Sequence, residues 1–125
     1  MSHLLLVALG GAIGSALRHL TNIAGLRLLG PGFPWGTFAV NIAGSFAMGL
    51  LVELLARRFG ASEGLRLFLA TGILGGYTTF SAFSLDTIVM AERGEVGMAM
   101  LYVAASVGLA LIALIAGLAL ARTLA

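Results

Sequence analysis

Residues 71 to 84 read Thr-Gly-Ile-Leu-Gly-Gly-Tyr-Thr-Thr-Phe-Ser-Ala-Phe-Ser. Two adjacent glycines, Gly75 and Gly76, are followed by five hydroxyl side chains, Tyr77, Thr78, Thr79, Ser81 and Ser84, with Phe80 and Phe83 among them. Against hydrocarbon this much hydrogen-bonding capacity would be wasted, and carbonyls freed at Gly-Gly would be costly unless buried in protein or lining a cavity. Interrupted helices at membrane depth are how transporters and channels build ion sites. Carbonyls released here, facing the same group of a second subunit, could hold a small hard cation. The alternative is an unbroken helix whose hydroxyls bond back to their own carbonyls. Phe80 and Phe83 are three apart and share a helix face. Aromatic rings have a negative face and a positive edge, so ring edges turned into a narrow pore could receive a small anion.

Donors to replace that anion's water occur elsewhere. Asn41 lies within the apolar run that begins at Trp35, and its NH2 can donate twice. It could equally glue two helices by an interhelical hydrogen bond worth about 1 kcal/mol or less. Tyr102 and Ser106 are four apart and face one groove. Arg18 sits more than half-way along the first apolar run, where it could attract anions or snorkel to the interface. Asp86 and Glu53 fall nearer span ends and read as interfacial residues or partners of arginines, and His19 reads as interfacial.

The elements that position these residues follow from composition. The chain has 125 residues, enough for one domain, 1–125; 60% are hydrophobic and 10% charged. So few charges cannot cover the surface of a small soluble domain, which points to a polytopic membrane protein. Four stretches are long and apolar enough to cross a bilayer: Leu4–Leu28, Trp35–Ala56, Leu65–Met90 and Val96–Ala121. Four spans cannot close a β-barrel, so they are helices. They are separated by Gly30-Pro31-Gly32-Phe33-Pro34, by the polar stretch from Arg57 to Glu63, and by Glu92-Arg93-Gly94-Glu95. Only Ser2 and His3 precede the first run, so it reads as a retained helix rather than a signal peptide.

All seven basic residues are arginines, dispersed without a stripe, which argues against nucleic acid as a partner. The absence of cysteine excludes disulfides and thiolate metal sites. An even number of spans puts both termini on one side, with Arg57, Arg58, Arg66 and Arg122, leaving Arg27 and Arg93 on the other. This difference is compatible with a cytoplasmic N-terminus, or with insertion both ways so that two copies pair antiparallel; charge does not choose. Glycines recur along the spans (Gly10, Gly11 and Gly14, then Gly44 and Gly49, Gly72, Gly75 and Gly76, and Gly108 and Gly117), which reads as close backbone packing at most positions.

Three motifs together resemble the CrcB/Fluc family of fluoride channels: Gly10–Arg18, Gly36–Phe46 and Gly72–Phe83. The likeness covers all four spans in order. It implies an all-α membrane protein whose third helix is broken near its middle, assembled as a dual-topology homodimer of antiparallel subunits with two pores. It also implies a structural sodium ion at the dimer centre, held by the carbonyls of Gly75 and Thr78 from each subunit. Phe80, Phe83 and Asn41 match the family's pore residues, with Thr79 and Ser81 in the polar part of the same motif. Arg18 matches the arginine near the aqueous approach, and Tyr102 and Ser106 match the polar track of the fourth helix. That track departs from the family pattern at Ala110, which has no hydroxyl. The implied activity is passive fluoride export across a bacterial inner membrane, with lipid as surroundings and no catalysis.

Two rivals from other classes fit less well. A small proton-coupled multidrug exporter needs an embedded carboxylate in its first span, and this one carries Arg18 and no acid. A structural membrane subunit would not require Gly-Gly followed by Phe80 and Phe83. No triad, metal-ligand cluster or phosphate loop suggests an enzyme.

Overall fold

The structure is a computed structural model, and it describes residues 2–57 and 62–124. Arg58, counted above with the second connection, lies outside the described residues. Throughout the described residues the secondary structure is helical: α1 (Ser2–Leu29), α2 (Trp35–Arg57), α3 (Glu63–Arg66), a π-helical stretch (Leu67–Leu74), α4 (Gly75–Tyr77), α5 (Phe80–Glu92) and α6 (Val96–Leu124). Four units are long and apolar enough to cross a membrane: α1, α2, Glu63–Glu92 and α6.

Turn chemistry separates them. α5 ends where Gly94 takes a positive φ of 85°; its N–H donates to Ala91 O, and Glu95 N–H donates to Met90 O. A side chain at Gly94 would be strained in that left-handed conformation, so glycine is what lets the last carbonyls find partners. At the other end of the third span, Ser62 Oγ accepts from Leu65 N–H (3.2 Å) and caps α3.

Small residues bring the spans together. α1 packs against the π-helical stretch and α4, and a Cβ added to Gly76 would come within 2.7 Å of Gly11 O. α2 lies along α6, with Gly49 on the Leu114–Leu118 turn and Gly117 on the Phe46–Leu50 turn. Lipid is as apolar as leucine, so backbones in van der Waals contact hold such a bundle where hydrophobic burial cannot. Many leucines accordingly point outward, among them Leu4, Leu28 and Leu111. The most deeply buried side chains are Tyr102, Met90 and Val40, and Phe83 and Ala99 join Tyr102 and Met90 in one core cluster.

The third span departs from the position that its glycines suggest. Gly75 and Gly76 are helical, and the backbone leaves helical geometry two residues after Gly76, at Thr78 (φ −83°, ψ 158°) and Thr79 (φ −153°, ψ 121°). The physical reason divides the labour. Gly76 provides the close approach to α1, whereas the extended residues are supported from α2, by the contacts described next.

Candidate functional site

Asn41 is the residue that makes extended backbone tolerable inside the bundle. Its Oδ1 accepts from Thr79 N–H (2.8 Å) and its Nδ2 donates to Thr79 O (3.0 Å). A side-chain amide thus replaces both hydrogen bonds that a continuing helix would have supplied to Thr79. The sequence reading gave Asn41 two free N–H donors; one of them is engaged here, and one remains. Thr79 then starts α5, its Oγ1 accepting from Ala82 N–H (3.1 Å).

These bonds also free two carbonyls. The amides four residues beyond Gly75 and Thr78 belong to Thr79 and Ala82, and both point elsewhere, to Asn41 Oδ1 and Thr79 Oγ1. Gly76 O, in contrast, accepts from Arg18 Nε across the α1 contact (3.1 Å). Nearby the Thr21 and Tyr77 hydroxyls are 3.0 Å apart, a second polar tie between α1 and α4.

Beside Asn41 lies a cleft of about 240 Å³. α2 contributes Asn41 and Ser45, the third span Thr78, Thr79, Phe80 and Phe83, and α6 Ser106, Val107 and Ala110. The two phenylalanine rings are 5.6 Å apart at 50°. They differ in burial: Phe83 is 8% exposed and Phe80 79%. Ser106 is 5% exposed, and among the described residues its hydroxyl has no hydrogen-bond partner. A buried hydroxyl without a partner forfeits on the order of 1–3 kcal/mol of hydration, which a bound ion could return.

The cleft gathers Asn41, Thr79, Phe80, Phe83 and Ser106, together with Thr78. Ser81 is exposed, its Oγ 3.3 Å from Thr79 Oγ1. Tyr102 is fully buried behind the cleft, packed at a tilt against Phe83 at 5.2 Å and meeting the edge of Phe33 at 5.3 Å. It therefore braces Phe83 from behind, and the expected common groove with Ser106 is lined by Ser106 alone. Arg18 is held at Gly76 O, away from the cleft walls.

Two acidic residues separate. Glu53 pairs with Arg57 and with Arg122 (3.3 Å), joining α2 to α6. Asp86, read as interfacial or as a partner of an arginine, has no arginine partner among the described residues; its Oδ2 accepts from Tyr102 OH (3.1 Å). Nothing in a sixteen-residue separation signals that bond. Ser45 was also missed as a cleft residue, although its place four residues after Asn41 puts both on one helix face.

Residues 5–118 match the family described as CrcB-like protein, Camphor Resistance (CrcB). The chain is 62% identical over 124 residues to a protein of Chelativorans sp. named fluoride-specific ion channel FluC, covering 99% of each chain. Proteins of the same name from Rhizobium etli and Agrobacterium fabrum are 62% identical over 120 residues (96% of each chain) and 57% identical over 124 (99% of each). With four spanning helices and relatives matched end to end, the chain is a multi-pass membrane protein and belongs to the CrcB family.

Proposed function

We propose that the chain is a fluoride-selective ion channel that lets cytoplasmic fluoride leave passively across a bacterial inner membrane. The observation that carries this reading is the cleft itself: Ser106, with its unpaired hydroxyl, and Asn41, with one N–H left over, line the same space as Phe80 and Phe83. A small hard anion gains most from donors at short range, because Coulomb attraction rises as distance falls. Positive ring edges stabilise it without trapping it, and conduction requires binding weak enough to be left. No covalent step is involved. Fluoride builds up inside because its neutral acid crosses the membrane and dissociates there. The relatives' name, fluoride-specific ion channel, supports the same ion.

The finer reading is a dual-topology homodimer with antiparallel subunits, two pores, and a third helix broken at Thr78–Thr79 near the dimer axis. Phe80 is exposed in the single chain, as a pore wall completed by a second copy requires. A sodium ion at the dimer centre fits the donor set, since the Gly75 and Thr78 carbonyls have lost their helical amides and oxygen is what a hard cation prefers. Bound there, sodium would neutralise converging carbonyl dipoles and clamp the two subunits. Gly75 and Thr78 would hold it by backbone oxygen alone. Arg18 keeps Gly76 O occupied, which leaves the neighbouring carbonyls as the available ligands.

Efflux from liposomes containing only this protein tests the reading. Fast fluoride release with negligible chloride release is expected. Retention of fluoride, or release that depends on a proton gradient, would overturn it; the latter outcome would favour a proton-coupled exporter.

A further inference from the structure

The two helical walls of the cleft differ in what they offer an ion. On α6 the polar line that passes through Ser106 stops at Ala110, which presents only a methyl group. α2 runs beside α6 in the same direction, from the Phe38 ring against Tyr102 (6.3 Å) to Glu53 against Arg122 (3.3 Å). Residues 41 and 45 therefore lie alongside the 106–110 turn, and Ser45 lines the cleft there.

Among the described residues the hydroxyl of Ser45 has no partner. A helical serine or threonine commonly returns its hydroxyl to the carbonyl four residues back. Thr21, Thr78, Ser84 and Thr87 all do so, at 2.8–3.0 Å. Among the described residues neither Ser45 nor Ser106 has a hydrogen-bond partner for its side chain. Both are left able to donate into the cleft, from adjoining walls.

We propose that Ser45 is a specificity-determining residue of the anion path, its hydroxyl supplying from α2 the donor that Ala110 does not supply from α6. The inference rests on the fluoride-channel reading. Asn41 and Ser45 lie about 6 Å apart along the helix axis, so an anion leaving the amide meets the next donor after one short step. Chloride is larger, keeps the donors farther from its centre and gains less from them, so the second donor favours fluoride.

The test compares fluoride efflux from liposomes for the parent chain, S45A, A110S and the double variant S45A/A110S. S45A is expected to lower fluoride release about ten-fold, the effect of losing one donor to a charged acceptor, with the elution volume in detergent unchanged. Adding A110S to S45A moves a hydroxyl to the neighbouring wall and is expected to restore the rate to within about three-fold of the parent. A folding defect would not be repaired in that way. A conducting parent whose S45A variant conducts equally well overturns the role of Ser45 alone, as does a slowed S45A that A110S does not rescue. A parent that releases no fluoride overturns the channel reading, and this proposal with it.

Discussion

The seam between α1 and the third span and the cleft between α2, α6 and the same span share one helix, yet they are built from different residues and behave in opposite ways. At the seam, Gly10, Gly11 and Gly14 meet Gly72, Gly76 and the carbonyls of Phe68 and Ile73, and backbone touches backbone. Polar groups there are matched, Arg18 to Gly76 O and Thr21 to Tyr77. In the cleft the Phe80 and Phe83 rings line the wall, and among the described residues the Ser45 and Ser106 hydroxyls lack partners. The seam uses smallness to remove space; the cleft uses bulk to keep it. Hydrogen-bonding groups left unmet inside a membrane are costly unless they line a cavity, which is where these two hydroxyls lie.

The comparison breaks first at the seam. Gly76→Val drives a branched side chain into the Gly11 backbone and is expected to cost about 3 kcal/mol, enough to abolish well-behaved protein in detergent. A normal yield with a single sharp elution peak would mean that the seam is loose. Next comes the brace between the regions. Asn41→Ala leaves Thr79 N–H and O unpaired and should slow fluoride efflux at least about thirty-fold, the rate equivalent of about 2 kcal/mol. Unchanged efflux would show that Thr78 and Thr79 hold their extended shape without α2.

The two rings should then part company. Phe83→Ile and Phe80→Ile are each expected to lower fluoride flux roughly ten-fold through loss of a ring edge. Only Phe83→Ile should also lower thermal stability, because of the two rings only Phe83 packs against Tyr102 in the buried cluster. Equal melting losses in both variants would contradict the burial difference between them. The smallest effect belongs to Arg122→Gln, which removes an exposed ion pair with Glu53 at the far end of α2 and α6. Flux should be unchanged and stability lowered only slightly, since exposed pairs contribute little.

Much of this arrangement was legible in the residues. Four apolar runs of spanning length, the breakers between them and the placement of Asn41, Phe80 and Phe83 all follow from local composition and spacing. The interruption was read at Gly75-Gly76 because glycine is the usual mark of irregular backbone. Thr78 and Thr79 carry no such mark: their extended shape depends on an amide thirty-eight residues away in sequence. Tyr102 and Ser106 show the same limit. Helical spacing put them on one face, yet one braces Phe83 and the other lines the cleft, because the neighbouring aromatic residues fill the space around Tyr102.

By itself, then, the sequence determined that the chain spans a membrane four times, where the spans lie, and which few residues carry polar chemistry into them. These are properties of hydrophobicity and local propensity, which each stretch has regardless of the rest. Only the tertiary structure decided which polar groups are satisfied by one another and which are left over. That Asn41 would take Thr79, that Arg18 would take Gly76, and that Ser45 and Ser106 would keep free hydroxyls are outcomes of pairing between distant segments. Such pairing depends on the register at which helices meet, and glycine-to-backbone contacts set that register to within a turn.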